Sequence, residues 1–144
     1  MNTTADAVLF AVIDRITATE LGTDQVNACD KFTALPSLDA LIADERDRIF
    51  YPALTSGPEP IDRSRCKDRL SVTFCFRYFG EFESMKRMLR DMPIVRERIR
   101  TAVAGNVSGL DSAKVGAPTY DTTSLAKHTI AQLPVTLEYH VEVG

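Results

Sequence analysis

Two stretches of the chain alternate apolar and polar residues with period two. Leu70, Val72, Phe74, Phe76 and Tyr78 share one face of the first, and Leu133, Val135, Leu137, Tyr139, Val141 and Val143 share one face of the second. Successive side chains of a strand point to opposite sides of its sheet, so each stretch predicts a strand with one buried face. A third pattern has the helical period. Ala5, Val8, Leu9, Val12, Ile13 and Ile16 predict an amphipathic helix over about 4–20, capped by Thr3 or Thr4, with Asp6 in its first turn and Gly22 beyond its end. Phe10 falls away from that stripe, beside Asp14, either widening the core contact or standing exposed as an anchor for another subunit.

Met85, Met88, Leu89 and Met92 recur at i, i+3, i+4, i+7 and predict a further apolar stripe that leaves Lys86, Arg87 and Arg90 outside. Pro93 is expected to break or kink this element, with Asp91 capping a fresh helix whose face of Val95, Ile99, Ala102 and Val103 runs to Gly105. Methionine here is core filler, because unbranched thioethers suit irregular gaps between a helix and a sheet. Residues 23–50 carry weaker signals, a short strand near Gln25 to Cys29 and another within Leu38 to Tyr51, where the run Asp44 to Arg48 suits a helix equally well. Pro52, Gly57, Pro58 and Pro60, followed by Arg63, Arg65, Lys67 and Arg69, predict a long mobile connection over 52–69. Residues 105–132 read as loops around one short strand near Pro118 to Asp121. The expected fold is α+β, a mainly antiparallel sheet of about four strands with two or three helices packed on one face, in a single domain over 1–144.

Composition agrees with that size: 144 residues that are 44% apolar can bury a core of their own. No apolar run approaches the ~20 residues of a bilayer crossing, and Met1 to Asp6 lacks the basic and apolar regions of a secretory signal, so synthesis in the cytosol is the expectation. Cys29, Cys66 and Cys75 are an odd set without a C-x-x-C pair, which argues for reduced thiols. Charge is uneven. Residues 1–45 hold eight acids and two bases (−6), residues 46–100 eight acids and thirteen bases (+5), and residues 101–144 four acids and two bases (−2). Complementary rather than identical patches are what a head-to-tail contact between copies requires.

Covalent chemistry finds little support in the pattern. Glu138, His140 and Glu142 share the polar face of the last strand at i, i+2, i+4, a spacing open to a divalent metal, but a solvated or subunit-facing surface explains it as well. Neither a catalytic nor a metal site is assigned, and no cofactor is expected. The aromatics Phe74, Phe76 and Tyr78 with Arg77 invite comparison with an RNA-stacking sheet, yet they share a face with Leu70 and Val72, which favours burial. A basic stretch from Lys86 to Arg100 keeps a small nucleic-acid-binding module as an alternative.

The order of predicted elements resembles the tail terminator proteins of long-tailed bacteriophages. Asp91-Met92-Pro93, then Ile99, Val103-Ala104 and Gly105, look like that family's D-x-P helix start and small-residue stop; Tyr120-Asp121 precedes a closing strand from Leu133 to Val143. The resemblance implies a structural virion protein at the neck, assembled in the host cytoplasm. It would form a homohexameric ring on the completed tail tube and offer a docking face to the head–tail connector protein, with DNA in the lumen a further contact. It implies no catalytic residues. On this reading subunits join through Asp6 and Asp14 against Arg87, Arg90, Arg96 and Arg100, with Phe10 as anchor, while Tyr51, Arg63, Arg65 and Lys67 meet the tail tube protein or connector. Another neck protein, for head completion or connection, is the neighbouring alternative.

Overall fold

The computed structural model describes residues 4–22, 30–43, 48–62, 66–79, 82–102, 109–121 and 128–141. Along the chain these form α1 (Ala5–Thr17), β1 (Thr33–Ala34), α2 (Leu38–Ala43), β2 (Ile49–Asp62), β3 (Lys67–Phe79), α3 (Phe82–Arg100), β4 (Leu110–Val115), β5 (Thr119–Asp121) and β6 (His128–His140). The architecture is α+β. The strands make one six-stranded sheet in the order β1-β2-β3-β6-β4, with β5 also paired to β6. The β1–β2 pair is parallel and the others antiparallel, so the sheet is mixed and wider than the four strands expected.

The two alternating stripes meet as neighbours in the centre of this sheet. Leu70 lies opposite Leu137, Val72 opposite Val135, Phe74 opposite Leu133 and Phe76 opposite Ala131, and all eight side chains are buried on one face. Helix α1 covers this face with Val8, Leu9, Val12, Ile13 and Ile16, starting where the Thr4 hydroxyl accepts a hydrogen bond from the Ala7 amide. Helix α3 covers it with Met88, Met92, Val95 and Ile99. Phe32, Phe50, Phe74 and Phe76 form a continuous aromatic cluster in this core, with neighbouring ring centroids 5.0 to 6.4 Å apart. Phe74, Phe76 and Tyr78 are therefore withdrawn from solvent and cannot stack on bases.

The expectation that helices occupy a single face is corrected by α2. Leu35 and Leu41 pack against Ile49 and Cys75 on the reverse side of β2 and β3. The alternation of β3 is amphipathic only in its first half: Ser71 and Thr73 are half-buried, while Cys75 and Arg77 are fully covered. Arg77 enters this second layer by donating to the Leu41 carbonyl at 2.7 Å, one of the carbonyls that a short helix leaves without an internal partner. Burial pushes the Cys75 thiol above its ordinary pKa and keeps it in the protonated, unreactive form.

The expected mobile connection over 52–69 is instead mostly strand. β2 and β3 pair as a long hairpin from Ile49/Arg77 to Asp62/Lys67, with register shifts between Leu54 and Asp62. Its prolines are compatible with a strand because of where β2 lies. The carbonyl of Phe50 faces β1, accepting from the Leu35 amide, so Pro52, two residues on, turns its missing N–H to the same outer edge, where β1 no longer runs. Gly57 adopts φ +91°, and a Cβ there would come within 2.5 Å of the Arg69 carbonyl oxygen. Gly57→Ala is expected to destabilise the hairpin by ~1–3 kcal/mol. Faster limited proteolysis within 54–69, with the helical core still protected, is the measurement that checks it.

Other expectations over the weak segments change too. Within Leu38 to Tyr51 the strand is present from Ile49, as the start of β2, while Leu38–Ala43 form a helix, and β4 and the start of β6 replace much of the loop expected over 105–132. The strand near Pro118 to Asp121 is present as β5. Pro134 lies inside β6 opposite Thr73, but its outer edge falls between the stretches paired to β5 and β4, and its carbonyl accepts from Gly116 in the turn that joins them. The expected strand near Gln25 to Cys29 and the small-residue stop at Val103 to Gly105 lie outside the described residues.

Candidate subunit interface

Helix α3 runs unbroken from Phe82 to Arg100 with Pro93 inside it, so the expected break and the capping role of Asp91 are both corrected. A proline ring deprives only the carbonyl four residues earlier of its donor, here that of Leu89, and both residues lie on the solvent side. One unbroken helix has one phase. Ser84, Arg87, Met88, Asp91, Met92, Val95 and Ile99 then share the buried side, and Met85 and Leu89, expected in the core, turn outward.

Asp91 thereby becomes an interior residue. Arg48 clasps its carboxylate with two hydrogen bonds, Nε to Oδ2 at 3.0 Å and Nη2 to Oδ1 at 3.2 Å, and the Tyr78 hydroxyl donates to Oδ2 at 2.5 Å. Arg48 takes a left-handed backbone (φ 57°) at the entry to β2, which is uncommon for a residue with a side chain. Both partners of the pair are almost wholly covered, with side-chain exposures of 2% and 3%. This cluster bolts α3 to β3 and to the segment preceding β2; it faces the interior and is structural.

Arg87, expected on the outer surface as a subunit contact, is also corrected: it is buried and donates to the Ser84 hydroxyl at 2.9 Å. The other residues expected to join subunits are on the surface. Asp6, Phe10 and Asp14 are spaced four apart on α1, which stacks them into one ridge, and all three are exposed, Phe10 to 60%. Hydrogen bonding to Thr4 holds the Asp6 carboxyl below its ordinary value, so it is ionised at neutral pH. Arg90, Arg96 and Arg100 are exposed on α3, and Arg100 lies 3.2 Å from Glu97.

The outward turn of Met85 and Leu89 creates a feature that two-helix reasoning missed. Phe82, Met85, Leu89, Pro93, Arg96 and Arg100 follow one another at i, i+3, i+7, i+11, i+14, i+18 and form a single ridge, apolar over its first turns and basic over its last. Phe82 is 82% exposed and Leu89 57%. The ridge would have been visible in the sequence had the phase of Val95 and Ile99 been carried back through Pro93.

A side chain of α1 ties the two helices together. Arg15 reaches from α1 to α3, donating from Nε to the Arg98 carbonyl at 2.8 Å and from Nη2 to the Thr101 hydroxyl at 3.2 Å. Arg15 is about 140° round α1 from Phe10, and Thr101, the α3 side chain that it meets, about 140° from Arg96 and 100° from Arg100.

Among the residues expected to meet the tail tube or connector, Tyr51 is half-buried in β2 and Lys67 opens β3, while Arg63 and Arg65 lie outside the described residues. Lys67 donates to Asp111 at 2.5 Å, and this hydrogen bond holds the Asp111 carboxyl below its ordinary value, with the nearby His140 Nε2 at 3.5 Å adding to the effect. Glu138 lies 3.5 Å from Arg69, which also faces Glu59 at 3.7 Å across the hairpin. Glu142, the third member of the carboxylate–histidine spacing, lies outside the described residues, among which no group of three or more His, Cys, Asp or Glu side chains is arranged to hold a metal. No described helix is long and apolar enough to cross a membrane. Neither a family model nor a curated protein matches the chain.

Proposed function

We propose that this chain is the subunit of a ring that caps the completed tail tube of a long-tailed bacteriophage and presents a docking face to the head connector. The observation that carries the proposal is the pair of exposed ridges on two different helices, acidic around Phe10 on α1 and basic at the end of α3. Two complementary patches on one chain suit a head-to-tail contact between copies, and such contacts close into rings when the rotation per subunit allows it. Of the element order behind the resemblance to tail terminators, the first helix, the aromatic strand and the closing strand are present, whereas the long loop is a hairpin and the divided helices are one. Asp91-Met92-Pro93 lends it no support, because these residues lie within α3 and do not start it.

On this proposal the outer half of the β2–β3 hairpin is the contact to the tail tube or connector. β2 is solvent-exposed from Leu54 to Pro60, with Leu54 62% exposed, and Lys67 lies on the strand that returns from it. The test is twofold: the mass of the purified protein in solution, where a six-fold species is expected, and the capping of purified unterminated tails. Arg96→Glu with Arg100→Glu is expected to weaken self-association at least about tenfold, equivalent to ~1.4 kcal/mol, while leaving the circular dichroism of the monomer unchanged. An undiminished six-fold mass for this variant, measured by light scattering, would count against the charge complementarity.

A further inference from the structure

The spacing of charged and apolar residues on the two ridges does more than permit a head-to-tail contact; it sets a register. On α1, Asp6 and Asp14 bracket Phe10 at four residues on either side, a span of about 12 Å between the two carboxylate positions. On α3, Lys86 and Arg96 bracket the exposed pair Leu89 and Pro93, a span of about 15 Å. The difference, about 1.5 Å at each end, is well within the reach of long basic side chains. The charge match holds whichever way α1 runs along α3, because Lys86 and Arg96 are equally far from the midpoint of Leu89 and Pro93, as the two aspartates are from Phe10.

We infer that the α1 ridge of one copy seats on the α3 ridge of the next, with Phe10 between Leu89 and Pro93 and its two aspartates on Lys86 and Arg96. The occupant is a second copy of this chain because the chain itself carries the complement in both charge and spacing. The apolar centre supplies area and the flanking charges supply orientation, the division of labour usual at protein interfaces. The outer edge of β2 is a poor rival site for assembly: Pro52 removes a donor there, as edge strands that must not pair commonly do. The inference deepens the proposed ring and rests on the chain being a self-assembling subunit, but not on what the ring caps.

The test uses two full-length variants, Asp6→Lys with Asp14→Lys, and Lys86→Glu with Arg96→Glu. All four positions are exposed, so the monomer should fold in both, which circular dichroism checks. Each variant alone sets like charge against like charge and is expected to associate at least about tenfold more weakly than the parent. An equimolar mixture places every reversed α1 ridge against a reversed α3 ridge of the other variant and every native ridge against a native one. It is therefore expected to regain the parental mass.

A second readout is oxidative cross-linking of chains carrying Phe10→Cys mixed with chains carrying Leu89→Cys, against the parent with its native cysteines. A disulfide joining one variant to the other supports the register; a dominant Phe10→Cys homodimer means a two-fold contact and overturns it. Parental assembly by either charge variant alone overturns it as well, as does a mixture that stays monomeric. Binding of the parent to anionic vesicles without self-association would assign the α3 ridge to a lipid surface and also overturn the proposal. A mixture that assembles but leaves tails uncapped sinks only the tail-cap reading, whereas tails capped by a mixture that fails to rescue cross-association sink only the register.

Discussion

Asp91→Ala is expected to destabilise the protein by about 3–5 kcal/mol, because it removes the carboxylate of a buried ion pair and leaves the guanidinium charge in the interior. The Arg48 guanidinium has no route to bulk water from a site where its side chain is 2% exposed, and the Tyr78 hydroxyl loses the acceptor that it reaches at 2.5 Å. For a domain of this length the fall in melting temperature is on the order of 10 °C. Removing both charges should behave differently. Asp91→Leu combined with Arg48→Met keeps much of the volume while abolishing the desolvation of two ions, so the double variant is expected to recover at least half of the loss suffered by Asp91→Ala. Urea denaturation of the two variants beside the parent decides the matter. A single variant within about 1 kcal/mol of the parent would show that the pair contributes little.

Phe76→Ala is expected to cost a comparable ~3–5 kcal/mol by a different mechanism. Phe76 lies at 0% exposure in the middle of β3, its ring 5.0 Å from that of Phe32 and 5.3 Å from that of Phe50, opposite the small Ala131 of β6. Truncation leaves a cavity that pleated strands on either side cannot close, since the backbone hydrogen bonds of β2 and β6 hold their spacing. The matched control is Phe10→Ala. That ring is 60% exposed, so its loss is expected to change stability by less than ~0.5 kcal/mol and to show instead in the solution mass of the protein. If Phe10→Ala lowered the denaturation midpoint as much as Phe76→Ala, Phe10 would be a core residue and the α1 ridge would lose its apolar centre.

The parts of the fold that could be read from the chain are those where one local period decides the outcome. The stripe from Val8 to Ile16 and the alternation from Leu70 to Tyr78 and from Leu133 to Tyr139 each bury one face, and a shift of one residue would expose the whole set. Where a residue answers to two demands, local reading failed. Pro52, Pro58 and Pro60 look like loop residues; Pro52 is compatible with a strand because β2 beyond Phe50 lies at an edge, and Pro58 and Pro60 lie where the β2–β3 register shifts. Pro93 looks like a helix break, and the helix passes through it because the unpaired carbonyl of Leu89 can turn to water. That single error displaced Arg87 from the interior and Met85 and Leu89 from the surface, and it hid the α3 ridge.

That Phe10 stands exposed between Asp6 and Asp14 came from the structure; by itself, the sequence determined the α+β class, the central strands and their inward faces, and the first helix with its buried stripe. Period and charge are local quantities, and each of these depends on nothing further along the chain. Only the tertiary structure decided that the sheet has six strands with a parallel edge pair, that Asp91 is the buried partner of Arg48 43 residues away, and that α2 covers the second face. Those outcomes depend on which elements lie beside one another. The desolvation of a charge, the edge position of a strand and the phase of a helix against its sheet are set by neighbours that no short window of sequence contains.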